Sequence, residues 1–249
     1  MSTWLEASVR RGILTTRYPA SAATADEVPA TGRGPRARPG ASGGAALADA
    51  CPVGAIGPET LDQGRCIRCA RCLPRGFDFS GPVEASTTDR AALLEPRAAP
   101  PLRTADSEAP LRPFSRSLHV FLVDVGSCNA CNLEVLALAN PYYDSQRLGI
   151  FFTNSPRHAD VLLVVGVPTP EMAEPLRRAF EALPGPKAVV AVGACPISGG
   201  VFRGNPDLTP SLADLVPVDV FVPGCPPTPL GVLDGILRAA GRARREAVP

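Results

Sequence analysis

The chain has 249 residues, 45% of them hydrophobic, and a formal net charge of +1. That length allows one large domain or a mid-sized domain with a small module, and the near-neutral charge removes the electrostatic case for a nucleic-acid partner. With 29 prolines and 23 glycines, long irregular segments are expected, and no apolar run approaches the ~20 residues that span a bilayer.

Residues 1–40 read as an N-terminal arm and linker. A short helix is expected within 1–20, with Trp4, Leu5, Val9 and Ile13 as its apolar positions. It is either a packing arm or a contact with a membrane surface or partner. The twin arginine in "MSTWLEASVRRGILTTRYP" is followed by no apolar stretch or small-residue cleavage site, so no export signal is expected. In a reducing cytoplasm, eight cysteines point to metal rather than to disulfides. Residues 21–40 are rich in Ala, Pro, Gly and Arg and read as linker.

Residues 41–77 hold "ACPVGAIGPETLDQGRCIRCARC" (50–72), which resembles the middle of a two-cluster bacterial ferredoxin. Such ferredoxins carry two C-x2-C-x2-C-x3-C-P runs, and the fourth cysteine of each run ligates the other cluster. With Cys51-Pro52 as the end of the first run, its other ligands fall at Ala41, Gly44 and Leu47. The second run supplies Cys66, Cys69 and Cys72, and its fourth ligand falls at Gly76. One complete ligand set is therefore absent and the other, Cys51, Cys66, Cys69 and Cys72, is whole. A ferredoxin-like α+β module with one [4Fe–4S] cluster is expected, the alternative being a vestigial or zinc-binding module. Arg65, Arg68, Arg71 and Arg75 flank these ligands, placed to offset an anionic cluster or to face an electron donor. Residues 78–116, rich in Pro, Ala and charge, read as a second, wrapped linker.

From 117 the texture changes. Strands are expected at 118–126, 148–153, 160–166, 187–193 and 218–224, and helices at 132–139, 169–183 and 228–247. The last helix carries Leu230, Leu233, Ile236 and Leu237 as its inner face. Apolar strands alternating with helices predict an α/β domain over 117–249, a parallel sheet with helices on both faces. Ligands of such folds gather at the carboxyl ends of strands. Cys128 and Cys131 in "GSCNACNLE", Cys195 in "VGACPISGG" and Cys225 in "VPGCPPTP" each follow a predicted strand. Four thiolates from three glycine-rich loops fit a [4Fe–4S] cluster or a tetrahedral zinc, with buried free thiols as the remaining alternative. Asp219 in "PVDVF" reads as structural. No Ser-His-Asp set, P-loop or G-x-G-x-x-G occurs, and two histidines leave no histidine-rich catalytic metal site.

These loops, with "YDSQRLGIFFTNSPRHADVLLVVG" (143–166) and "VPVDVFVPGCPPTP" (216–229), resemble the small subunit of membrane-bound, energy-converting [NiFe] hydrogenases of the formate hydrogenlyase type. They also resemble the homologous 20 kDa subunit of respiratory complex I. The resemblance covers about 118–245. It implies a flavodoxin-like core and one [4Fe–4S] cluster on Cys128, Cys131, Cys195 and Cys225. It also implies a large partner subunit with either a nickel-iron centre or a quinone pocket. Complex I relatives have adjacent cysteines at the first ligand site and glutamine after "SPR", whereas this chain has Cys128-Asn129-Ala130-Cys131 and His158, which is hydrogenase-like. By the same resemblance Glu134 is a candidate for proton transfer or partner contact, or a plain helix-end acid. Arg147, Arg157 and His158 match positions near the cluster or subunit interface, or form surface ion pairs. "GILTTRYP" (12–19) resembles a stretch before the cluster motifs of the ferredoxin-like subunits of these complexes. The chain thus looks like a one-cluster ferredoxin module fused to a small subunit. The expectation is an electron-transfer subunit with two [4Fe–4S] clusters and no substrate-transforming residues of its own. It would sit peripherally on the inner face of the cell membrane through partner subunits; a complex I-like quinone reductase subunit and a zinc scaffold are the alternatives.

Overall fold

The structure is a computed structural model that describes residues 12, 15–22, 34–38, 48–97, 109–111, 116–209 and 211–243. Trp4, Leu5, Val9 and Ile13, the apolar positions of the expected N-terminal helix, and the positions Ala41, Gly44 and Leu47 lie outside the described residues.

In the cysteine module, regular structure is sparse. Strands β1 (Arg36–Ala37), β2 (Thr60–Asp62), β3 (Phe77–Asp78) and β4 (Leu94–Pro96) form two antiparallel pairs, β1 with β3 and β2 with β4. Ile56, Leu61 and Phe77 are buried between them, with Cys51 and Cys72 packed alongside. Both pairs recruit a strand from segments expected to be linker. A ladder of two or three residues is too short to show an alternating pattern, so the sequence does not announce it. The second linker is also anchored elsewhere: Thr87 and Phe221 exchange backbone hydrogen bonds of 3.0 and 2.8 Å, and Leu93 enters the core of the larger domain.

Residues 118–239 follow from a simple constraint. A strand with no polar face must be covered on both sides. Strands β5 (Leu118–Asp124), β6 (Ile150–Phe152), β7 (Val161–Val165), β8 (Ala188–Val192) and β9 (Val220–Val222) form one parallel sheet ordered β6-β5-β7-β8-β9. Within the sheet this is the 2-1-3-4-5 order of flavodoxin-like folds. Along β7 the side chains alternate: Val161, Leu163 and Val165 join one core, while Leu162 and Val164 join the other. Helices α1 (Ala130–Leu136) and α4 (Pro229–Ala239) cover the first face through Val135, Leu230 and Leu233. Helices α2 (Pro170–Ala182) and α3 (Ala194–Ser198) cover the second through Leu176 and Ile197.

Two features of α4 depart from expectation. It ends at Ala239 rather than near 247, because Gly241 turns left-handed (φ +67°) and donates its N–H to Arg238 O, a glycine stop. It also has no polar outer face, since every residue from Pro229 to Leu237 is buried. The outer side is covered by Tyr18 and the strap at 83–86. Asp234 holds these pieces together, accepting from Tyr18 Oη (3.0 Å), Ser86 N (3.2 Å) and Ser86 Oγ, with Arg238 Nη2 at 3.8 Å.

Removing one partner from a buried charged network leaves the others unpaired, at a cost of roughly 3 kcal/mol. Asp234→Ala should lower the stability of the chain by that amount in urea unfolding, and Asp234→Asn by less. A loss below ~0.5 kcal/mol for the alanine variant would mean that the arm and strap are not held through this carboxylate.

Candidate metal centres

The first cysteine set is wound by backbone conformation. In the loop from Cys66 to Cys72, Arg68 (φ +53°) and Ala70 (φ +65°) are left-handed although neither is glycine, so the chain curls instead of extending. Cys51, Cys66, Cys69 and Cys72 come to line one cavity, together with apolar Val53, Ile56 and Leu61. Backbone N–H groups point at two of the sulfurs: Ala55 N at 3.2 Å from Cys51 Sγ and Arg68 N at 3.4 Å from Cys66 Sγ. Such donors to sulfur are among the levers that tune a thiolate-bound metal group.

The approach to Cys66 is pinned by Asp62, which is only 6% exposed. Its carboxylate accepts Gly64 N (2.9 Å), Arg65 N (3.2 Å), Arg65 Nε (3.1 Å) and Arg90 Nη2 (2.8 Å). Sequence reading passed over Asp62; an Asp two residues ahead of a glycine is the local turn signal that marks it.

The second set stands at the carboxyl edge of the sheet. Cys128 and Cys131 follow β5, Cys195 follows β8 and Cys225 follows β9. Asp124, at the end of β5, fixes the first of these loops by accepting Gly126 N (2.9 Å), Ser127 N (2.8 Å), Ser127 Oγ (2.6 Å) and Asn132 Nδ2 (2.6 Å). Glycines leave room beside the sulfurs. A Cβ on Gly193 (φ +98°) would meet Cys131 Sγ at 2.8 Å, and one on Gly200 (φ +53°) would meet Cys195 Sγ at 2.9 Å. Both positions combine a left-handed backbone with a space that only hydrogen can occupy.

Within each set the thiols are close enough to act on one another. Burial pushes the Cys66 thiol up to about 12; the N–H and charge of Arg68 pull it down, and Cys72 and Cys51 push it up further. Burial, then Cys195, Cys225 and Cys128, push Cys131 up to about 12. Burial, then Cys225 and Cys128, push Cys195 up to about 11. Cys72 is raised by burial, with Cys69 and Cys51 adding to it, and Cys225 by burial and Cys128. In each case the cysteines that act on a thiol come from the same motif set. All eight are free thiols. Among the described residues no three His, Cys, Asp or Glu side chains converge as a site for a single ion. The donor chemistry, the N–H groups on sulfur and the glycine clearances fit a bulky thiolate-ligated group.

The other candidates are dispersed. Glu134 lies one helical turn beyond Cys131, and burial raises its carboxyl. Arg147 clamps the N-terminal arm, donating from Nη2 to Thr16 O (2.7 Å) and Tyr18 O (2.6 Å). Arg157 and His158 are exposed on a short 3-10 turn. Asp219 accepts Val189 N at 2.7 Å and so ties β9 to β8.

Four cysteines thus stand at the carboxyl edge of a flavodoxin-like sheet, the edge at which such folds bind ligands. Residues 128–239 match the NADH ubiquinone oxidoreductase, 20 kDa subunit family, and the chain belongs to that family. A probable membrane-bound hydrogenase subunit of Pyrococcus furiosus is 48% identical over 126 residues, covering 51% of this chain and 75% of that protein. Formate hydrogenlyase subunit 7 of Escherichia coli is 44% identical over 131 residues, covering 53% of this chain and 51% of that protein. Among solved structures, the membrane-bound sulfane sulfur reductase, an archaeal respiratory membrane complex, has a chain 33% identical with a TM-score of 0.47, covering 54% of this chain and 76% of its own. The family match begins at Cys128, so the first quartet lies outside it. Among the described residues no helix is long and apolar enough to cross a membrane.

The Asp124 turn gives a pH-dependent expectation. Burial alone would raise this carboxyl, but the bonds from Ser127, Gly126 and Asn132 outweigh it and hold it below its ordinary value of 3.8. A depressed native pKa stabilises the fold above the unfolded value, and that contribution is lost as pH falls through the native one. Asp124→Ala should therefore cost the metal-free chain about 1 kcal/mol at pH 7, the site being partly exposed. In urea unfolding this difference should close towards pH 3; a difference that is unchanged there would show that the carboxylate is not what fixes the turn.

Proposed function

We propose that the chain relays electrons within a multi-subunit oxidoreductase through two [4Fe–4S] clusters, one held by Cys51, Cys66, Cys69 and Cys72 and the other by Cys128, Cys131, Cys195 and Cys225. The observation that carries this reading is geometric: Cys51, Cys66, Cys69 and Cys72 line one cavity, and Cys128, Cys131, Cys195 and Cys225 stand on loops at one edge of the sheet, which accounts for all eight free thiols. A [4Fe–4S] cluster supplies one-electron storage with little change in its ligands. The chain's own residues supply the rest. Ala55 N and Arg68 N donate to sulfur. Gly193 and Gly200 keep side chains away from Cys131 and Cys195. Asp62 and Asp124 hold the loops that carry Cys66 and Cys128.

The partner reading leans to a hydrogenase-type large subunit. It rests on the Cys128-Asn129-Ala130-Cys131 spacing and His158, and on relatives named as a membrane-bound hydrogenase subunit and a formate hydrogenlyase subunit. The family's own description, a subunit of NADH ubiquinone oxidoreductase, supports a quinone-type partner instead. The sequence of the partner large subunit would decide: two CxxC pairs able to hold nickel favour the first reading, and their absence favours the second. In either case peripheral attachment to the inner face of the membrane would come through membrane subunits of the complex.

After anaerobic purification the chain should contain about eight iron and about eight labile sulfide. Zinc without sulfide would end the electron-relay reading, and about four iron would remove one site. Cys72→Ser should abolish one cluster's electron paramagnetic resonance signal and spare the other. Gly193→Ala, which crowds Cys131 Sγ, should perturb the signal that Cys72→Ser spares; an effect on the Cys72 signal instead would contradict two separate sites.

A further inference from the structure

Resting on that two-cluster reading, we propose that Arg68 is a shared positioning residue that sets the reduction potentials of both cluster sites at once, rather than a surface arginine facing an electron donor. One residue contacts a cysteine of the first quartet and the loop that carries Cys225 of the second. Its backbone N–H donates to Cys66 Sγ at 3.4 Å. Its guanidinium Nη2 donates to Pro223 O at 3.2 Å, across 155 positions of sequence, and Pro223 precedes Cys225 by two residues. Its charge acts on the thiols of Cys66 and Cys225 alike, one from each quartet. Two neighbouring arginines are placed differently. Arg65 pairs with Asp62 at 3.1 Å, and Arg71 lines the first cavity on its exposed side.

Arg68 holds a left-handed backbone (φ +53°) in which its N–H faces Cys66 Sγ while its guanidinium reaches Pro223 O. Neighbouring bonds hold the two quartets in this relation independently of Arg68: Ser198 Oγ donates to Gly64 O at 2.9 Å, and Thr87 pairs with Phe221 beside Pro223.

A fixed positive charge favours the more negative, reduced form of whatever the thiolates hold, and a partly buried site screens it weakly. Arg68 therefore favours reduction at both sites together and softens the repulsion between two reduced sites. A lysine keeps the charge without the planar fork of donors.

The test is redox titration of both sites in the full chain, followed by electron paramagnetic resonance, on Arg68→Gln, Arg68→Lys and Arg71→Gln, with iron and sulfide measured on each. Arg68→Gln should keep the wild-type iron and sulfide and make both sites harder to reduce. The reduced-to-oxidised ratio at fixed potential should fall about tenfold at each, ~59 mV for a one-electron couple. Arg68→Lys should recover most of that shift, and Arg71→Gln should move only the site that Cys72→Ser abolishes. A shift confined to one site in Arg68→Gln, no shift at either, or no recovery with lysine would overturn the proposal. So would loss of iron in both Arg68 variants, which would make the residue a strut. Wild-type chain without iron and sulfide would instead defeat the two-cluster reading on which the proposal stands.

Discussion

A thiol buried among apolar side chains and other sulfurs does not ionise readily. Burial, reinforced by the neighbouring sulfurs, pushes Cys66 and Cys131 up to about 12 and Cys195 to about 11. Only the thiolate binds metal, so loading either site requires a positive group that repays the cost of charging the quartet, and it releases protons. The loops around both quartets are arranged for that moment. They offer N–H donors and an arginine to the sulfurs of the first set, and glycine clearances to those of the second.

The two quartets are supported differently. The second rests on the ends of β5, β8 and β9, strands of a sheet buried on both faces, and inherits their rigidity. The first rests on short antiparallel pairs and a core of three buried residues, too small to be stable without help. Its help comes from docking. Ser198 with Gly64 and Arg68 with Pro223 tie the module to the sheet domain directly, and Asp62 with Arg90 and Thr87 with Phe221 tie each of them to the strap that connects them. The same docking brings the loop after Cys66 against the loop before Cys225.

The sheet was legible because its signal is local: five short apolar runs can each be read within a window of a few residues. The quartets were legible because ligand spacing is a covalent property of the sequence. What escaped depends on distant partners. Asp234 sits in an apolar helix, and nothing nearby says that Tyr18 and Ser86 will cover it. The ladders of β1 and β4 are shorter than any period. Arg147 reads as a residue near the cluster or interface until the arm's carbonyls are in place around it. Arg68 was visible as a charge beside cysteines, but its reach to Pro223 exists only once the module is docked.

Mössbauer spectroscopy of the anaerobically prepared, 57Fe-enriched chain tests the central claim most directly. All of the iron should appear in [4Fe–4S] form, and about half of it should disappear in Cys72→Ser with the remainder unchanged. Mononuclear thiolate iron, or a Cys72→Ser chain that loses all of its cluster iron, would contradict two independently held clusters.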